Sequence, residues 1–194
     1  MLPHELFGLN EEEASRCLCT IARFIVEMKE DPEKIINLLD DTCRLFGAYM
    51  IGYYIGLNTQ LGYPATISSV REMMRELRED RNEKAIMFVK NTKLHERFNL
   101  EFEEVLSAMK RIAEMSKVYP LAVVRKFDVK YHSFVSYFLG YLDGLADCFF
   151  NPFRVQVEME ILSWVYKNCS EGKEYKVKRY LMEKKERIQR VKVA

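Results

Sequence analysis

The sequence predicts a predominantly helical α+β protein that is built from two related halves and ends in a β-hairpin. Three observations favour this fold class. Apolar residues recur every three to four positions along most of the chain, a nine-residue pattern occurs twice, and residues 153–161 alternate strictly between apolar and polar types. An all-α helical bundle is the alternative, because periodicity cannot separate short apolar strands from buried helical segments.

The first half of the chain is expected to hold three helices. Asn10 is a good N-cap, and the three glutamates after it complement the positive end of a helix. Pro32 suits the first position of a second helix, which runs to about Leu61 and is apolar on most sides from Leu45 onward. Gly62 fits a C-cap, and residues 64–80 form a third helix whose apolar residues share one face.

The middle of the chain is less regular. The apolar run 85–89 is too short for periodicity to decide between strand and helix. Asn99 suits the cap of a long helix through Lys117, and Tyr119-Pro120 breaks that helix. Another apolar stretch then reaches Phe150.

The pattern Tyr-x-x-Gly-Tyr-x-x-Gly-Leu begins at Tyr49 and again at Tyr137, an offset of 88 residues. Prolines flank both copies at equal distances, which chance similarity between two amphipathic helices explains poorly. We therefore expect an internal duplication with a pseudo-twofold axis and related halves at about 11–80 and 99–168.

Each interior glycine costs a helix about 1 kcal/mol relative to alanine, so four of them need a compensating gain. Small residues four apart let another backbone approach closely. Either the two helices cross at their glycines, or a glycine face borders a bound molecule. The candidate ligand-pocket residues are these glycines and the tyrosines beside them: Tyr49, Gly52, Tyr53, Gly56, Tyr137, Gly140, Tyr141 and Gly144.

The C-terminal part is predicted to form a β-hairpin. Residues 153–167 begin with nine alternating positions, 170–173 supply turn residues, and 174–181 alternate more weakly. A short terminal helix is expected after this hairpin.

The C-terminal half has three features in succession: a Gly-x-x-x-Gly helix, an alternating strand and a Cys/Gly turn. Their characteristic residues are Gly140, Gly144, Val155, Val157, Glu158, Cys169 and Gly172. This order resembles the C-terminal half of the 4-vinyl reductase domain family, whose fold the TRAPP vesicle-tethering subunits share. An earlier glycine helix of the family would match Gly52 and Gly56. The second family cysteine is absent, with Tyr175 near its place, which argues against thiol-based ligand chemistry. The resemblance implies dimerisation and an apolar pocket for a small molecule or acyl chain, rather than an enzyme.

Composition fits one globular domain, 1–194, with 48% hydrophobic and 30% charged residues. The net charge of +1 is distributed unevenly, because the C-terminal segment 171–194 holds nine basic and four acidic residues. This basic C-terminal segment could contact phosphates of a nucleic acid or simply form a solvated face.

The five cysteines are odd in number, and Cys17 and Cys19 point to different sides of a helix. This pattern favours free thiols in a reducing compartment over disulfides or zinc. The N-terminus lacks the features of a signal peptide, so we expect a cytoplasmic protein. The apolar stretches 45–57 and 133–150 are too short or too acidic for a membrane span.

A second group of candidates lies along one side of the later glycine helix: His132, Ser136, Asp143 and Asp147. Two aspartates four residues apart are weak candidates for a divalent metal. His132 cannot join them, because its eleven-residue separation from Asp143 is a rise of about 16 Å. Otherwise the two aspartates mark a solvated side of the helix or bond to neighbouring backbone.

No complete catalytic or phosphate-binding motif occurs, and no cofactor is indicated. The sequence favours a non-catalytic binding or interaction protein that forms a homodimer and holds an apolar small molecule near the glycine helices. One alternative is a nucleic-acid-associated accessory protein that uses the basic C-terminal segment. Another is a metal-dependent enzyme centred on Asp143 and Asp147.

Overall fold

A computed structural model describes residues 2–27, 32–57, 67–115 and 119–193. Within these ranges the ordered elements are α-helices and two short 3-10 turns, Pro3–Phe7 and Val129–Tyr131. The helices in chain order are α1 (Glu11–Glu27), α2 (Pro32–Ile36), α3 (Asp41–Leu57), α4 (Ile67–Arg78), α5 (Glu83–Thr92), α6 (Leu94–Arg97), α7 (Phe102–Glu114), α8 (Pro120–Val124), α9 (His132–Phe150), α10 (Pro152–Ser170) and α11 (Glu174–Val193).

The predicted β-hairpin is wrong, and the all-α alternative fits the described residues, which contain no strand. Residues 153–167 lie in α10 and 174–181 lie in α11, with Gly172 at φ +68° in the turn between them. Packing of the later part of α10 overrides the nine alternating residues. Leu162 and Val165 are buried at helical spacing, and burying them keeps the whole segment helical. The strand that the 4-vinyl reductase resemblance required at Val155 and Val157 is therefore absent.

Several predicted helix boundaries move. The long second helix is divided into α2 and α3, and the Asp40 carboxylate caps α3 by accepting a hydrogen bond from the Cys43 amide at 2.9 Å. Its predicted end at Leu61 and the Gly62 cap lie outside the described residues. The cap of α7 is Glu101 rather than Asn99, since Glu101 and Glu104 form a reciprocal capping box.

The ambiguous run 85–89 is helical and belongs to α5. The buried residues of α5 are Ala85, Phe88, Val89 and Thr92. Phe88 and Val89 lie three and four positions after Ala85, and Thr92 lies four and three positions after them, which is the spacing of one helical face. The five-residue run was too short to show this spacing by itself.

The chain divides into two compact units, Met1–Gly47 with Gln156–Ala194, and Ala48–Val155. In the first unit α1 packs along α11, and ion pairs between the two helices join Lys178 to Glu12 and Lys185 to Glu11. Much of the basic C-terminal segment is therefore used inside this unit. The single domain predicted from composition stays a prediction.

Two disulfides link helices of the first unit, so the prediction of free thiols is wrong. Cys17 is bonded to Cys43 and Cys19 is bonded to Cys169, with a Cα–Cα distance of 5.6 Å in each pair. The two cysteines of α1 do point to different sides, and each side meets a different cysteine-bearing helix. Cytoplasmic localisation stays a prediction, and the cysteines no longer support it.

The second unit packs its helices around α9. Phe134, Phe138 and Tyr141 stack along α9, with ring centroids about 6 Å apart, and all three are almost completely buried. Phe98, which follows α6, adds an edge contact to Phe134. The apolar surface of α9 thus forms the centre of this unit.

Among the helices of the described ranges, none is both long and apolar enough to cross a membrane.

The disulfide pairing predicts a specific thiol count. Unfolded, unreduced protein should present one thiol to Ellman's reagent, that of Cys148, and five after reduction. Replacing Cys17 and Cys43 by serine should lower the free energy of unfolding by about 3.5 kcal/mol, because the bond closes a loop of 26 residues in the unfolded chain. Cys148→Ser is the control, which removes the reactive thiol and keeps the stability. Five reactive thiols before reduction would contradict the pairing.

Candidate functional site

The two tyrosine–glycine segments pack directly against each other within the second unit. A Cβ atom added to Gly52 would strike the carbonyl oxygen of Tyr137, and one added to Gly56 would strike that of Tyr141. The backbones of α3 and α9 therefore touch where the side chains are single hydrogen atoms. We call the region where the glycines of α3 and α9 meet the opposite backbone the glycine crossing.

The counterpart contacts are equivalent. A Cβ atom added to Gly140 would strike the Tyr49 carbonyl oxygen, and one added to Gly144 would strike that of Tyr53. Each contact is related to its counterpart by the 88-residue offset, so the crossing has local pseudo-twofold symmetry. The prediction that the helices cross at their glycines is confirmed. That the symmetry arose by internal duplication stays a prediction.

The four tyrosines of the motif lie in the core beside the crossing. Tyr137 and Tyr141 are each 1% exposed, and Tyr49 and Tyr53 are each 7% exposed. Peptide groups of the opposite helix fill the surface over the glycines. A molecule bound near the crossing would therefore contact other side chains rather than the glycines themselves.

The crossing is symmetric in its backbone but asymmetric in its side chains. The Tyr49 hydroxyl donates a 2.6 Å hydrogen bond to the Asp143 carboxylate, and the Tyr53 hydroxyl donates a 2.8 Å bond to Asp147. Asp147 also lies 3.4 Å from the Arg154 guanidinium. The first-half counterpart of Asp143 is Ile55, so this tyrosine–aspartate pairing is built on one side of the crossing only.

These contacts shift the ionisation of the groups involved. Asp143 is exposed at the protein surface, yet neighbouring atoms displace part of the water around its carboxylate and raise its pKa, while the Tyr49 hydrogen bond opposes this shift and the nearby Asp147 charge adds to it. Burial, with the Asp143 charge beside it, raises the pKa of Tyr49 far above its ordinary value. Burial likewise raises the pKa of Tyr141. The Tyr49 hydroxyl therefore acts as a hydrogen-bond donor rather than as a base or nucleophile.

The other members of the predicted polar group lie elsewhere. His132 places its Nε2 atom 2.9 Å from the Phe127 carbonyl oxygen, and Ser136 is completely buried. Within the described ranges, no three His, Cys, Asp or Glu side chains converge as a metal site would require. A metal role for Asp143 and Asp147 stays a prediction. In this structure their carboxylates accept hydrogen bonds from tyrosine hydroxyls.

A cavity of about 300 Å³ lies between α4 and α5 in the second unit. Val70 and Met73 of α4 line it from one side, and Met87 and Phe88 of α5 line it from the other. Its volume is at the lower end of the range for ligand pockets. The Phe88 ring centroid is 6.0 Å from that of Tyr141, so the inner wall of the cavity rests on the glycine-crossing helix α9.

Two charged residues, Glu83 and Lys84, line the cavity, and Glu83 is exposed to solvent. Lys84 lies at its edge, and its ammonium group pairs with Glu72 at 2.7 Å and with Glu76 at 2.9 Å. The Thr92 hydroxyl donates to the Phe88 carbonyl oxygen. Lys84 and Thr92 are thus satisfied by neighbours on the same two helices.

None of the eight ligand-pocket residues predicted from the sequence lines this cavity. The spacing of Val70 and Met73 placed them on one apolar helical face, but the unassigned run 85–89 hid Met87 and Phe88. The usable signal was the interval from Phe88 to Thr92, which extends the helical pattern beyond the run.

Part of the positive charge of the basic C-terminal segment is paired with acids of this chain. Within the described ranges, ion pairs engage five of its basic residues: Lys173, Lys178, Arg179, Lys185 and Arg190. Such pairing leaves less positive charge for phosphate contacts than the sequence count suggests.

Compared with known proteins, the chain matches no family model, no curated protein and no solved structure.

Gly140→Ala tests the glycine crossing. Alanine normally stabilises a helix by about 1 kcal/mol over glycine, but here its methyl group would strike the Tyr49 backbone. We expect the free energy of urea unfolding to fall by about 1–3 kcal/mol, as for an overpacked core. Gly47→Ala in α3 is the matched control, because its methyl group meets the movable end of the Leu39 side chain and costs less. Equal effects of both changes would argue against a tight crossing.

Asp143→Asn tests the raised carboxyl pKa. The asparagine can still accept the Tyr49 hydrogen bond but does not titrate. Native Asp143 takes up a proton at higher pH than the unfolded chain, whose ordinary value is about 3.9. Wild type should therefore gain stability relative to the variant as the pH falls from neutral through the folded pKa, measured by urea unfolding. A difference that is constant with pH, or that shrinks on acidification, would refute the shift.

Proposed function

We propose that this chain is a non-catalytic binding protein that forms a homodimer and holds an uncharged apolar small molecule beside the glycine-crossing helices. The cavity between α4 and α5 is the proposed binding site. The observation that carries the proposal is the position of this cavity, with Phe88 shared between its wall and the aromatic stack of α9.

The lining supports an apolar ligand. Methionine side chains are flexible and polarisable, and Met73 and Met87 lie on opposite sides of the cavity with Val70 and Phe88 beside them. The pairing of Lys84 with two glutamates supports an uncharged ligand, since this cation of the lining is already engaged and does not need a carboxylate or phosphate as partner.

The chemistry beside the crossing supports a non-catalytic role. The Tyr49 hydroxyl is kept protonated by its raised pKa, and the two aspartates accept tyrosine hydrogen bonds. Such bonds hold α3 and α9 in register rather than activating a nucleophile.

Binding of a neutral solvatochromic dye such as Nile red, displaced by small apolar compounds, tests this function. Met87 is 58% exposed, so Met87→Glu should leave the fold intact. It should weaken dye binding by about tenfold or more, because it places a charge at the mouth of an apolar cavity. Met182→Glu is the matched control, since Met182 is a similarly exposed methionine, 47%, on α11. Absence of saturable binding, or equal loss in both variants, would reject the cavity as the site.

A further inference from the structure

Helix α10 has one buried apolar face and one that is largely exposed. Leu162 and Val165 are 3% and 2% exposed on the inner face. Val157 and Trp164 lie on the opposite side, where they remain 50% and 38% exposed. Trp164 keeps this exposure although its ring packs against Tyr180 of α11, with the ring centroids 5.5 Å apart. The alternating sequence at the start of α10 explains this, because apolar residues two apart point to different sides of a helix.

Two charged residues flank Trp164 on the outer face. Glu160 lies one turn before Trp164 and Lys167 lies about one turn after it, and both are exposed. The Glu160 carboxylate accepts a hydrogen bond from the neutral Gln156 amide. Among the described residues, no ion pair involves Glu160 or Lys167. Glu171, one turn after Lys167, also lies within the electrostatic reach of Lys167, but its ion pair is with Lys173. The outer face is thus an apolar centre between one anion and one cation that form no ion pair within the described chain.

We propose that this outer face, Val157, Glu160, Trp164 and Lys167, is the homodimer contact, formed by two antiparallel α10 helices about a twofold axis beside Trp164. Glu160 and Lys167 lie at equal distances of about 5 Å along the helix from their midpoint. Antiparallel pairing therefore sets Glu160 of each copy opposite Lys167 of the other, while the two indoles meet at the centre. A twofold axis creates both ion pairs at once.

Charge selects this arrangement over the parallel one. Parallel pairing of the same face would set Glu160 against Glu160 and Lys167 against Lys167, two repulsive contacts. Antiparallel pairing replaces both repulsions by attractions. Tryptophan at the centre of a contact is also the residue type that most often dominates binding energy.

This contact rests on the homodimer of the proposed function and specifies its surface, while ligand binding in the cavity does not depend on it. Trp164 is the single tryptophan of the chain, so its fluorescence reports the contact directly. With rising protein concentration its emission should shift to shorter wavelength, in step with the dimer fraction from analytical ultracentrifugation.

Glu160→Lys and Lys167→Glu test the pairing. Each variant alone sets like charges opposite each other and should weaken dimerisation by about tenfold or more. An equimolar mixture of the two variants should form a heterodimer of wild-type affinity, because both cross-helix pairs are then attractive. Lys90→Glu, an exposed reversal on α5, is the control and should leave dimerisation unchanged. Circular dichroism confirms that every variant is folded.

The outcomes separate the surface from the function. A wild-type chain that is monomeric at all concentrations would overturn the homodimer and this contact together. A dimer that tolerates both reversals, or reversed variants that fail to pair on mixing, would overturn this contact alone.

Discussion

Close approach of two peptide backbones organises the second unit. At the glycine crossing, carbonyl oxygens of α3 and α9 occupy the space that side chains would take at Gly52, Gly56, Gly140 and Gly144. The helical cost of these glycines, about 1 kcal/mol each, is offset by dispersion contact between the backbones and by burial of the flanking tyrosines. Because α9 is fixed in this way, its aromatic stack also has a fixed position. Phe88, on the inner wall of the cavity, packs its ring against Phe138 and Tyr141 of that stack.

Side chains break the symmetry that the backbone keeps. On one side of the crossing, tyrosine hydroxyls of α3 are bonded to Asp143 and Asp147 of α9, whereas the first-half counterpart of Asp143 is the apolar Ile55. A carboxylate beside packed helices pays a desolvation penalty, which is visible in the raised pKa of Asp143. The hydroxyl bonds reduce that penalty and fix the register of the two helices. The paired aspartates thus have a structural explanation that needs no metal.

The first unit depends on covalent and ionic links around α1. Disulfides join this helix to α3 and α10, and ion pairs join it to α11. Pairing with α1 uses cations of the basic C-terminal segment that composition alone would assign to an external partner. The outer face of α10 differs, since its tryptophan remains 38% exposed and its Glu160 and Lys167 form no ion pair among the described residues.

The sequence by itself determined the helical content of most segments, because residues three and four apart share a helical face. It also indicated a close approach at the glycines, since glycine leaves room beside the backbone, but it left open whether a helix or a bound molecule fills that room. It did not determine that α10 is a helix, since the nine alternating residues have the period of a strand. Burial of Leu162 and Val165 in the folded chain outweighs that local pattern. Nor could the sequence pair Cys19 with Cys169, which are 150 residues apart. The cavity between α4 and α5 likewise exists only once both helices are in place. Local periodicity acts over a few residues, whereas these features depend on which distant segments meet, and packing of the whole chain decides that.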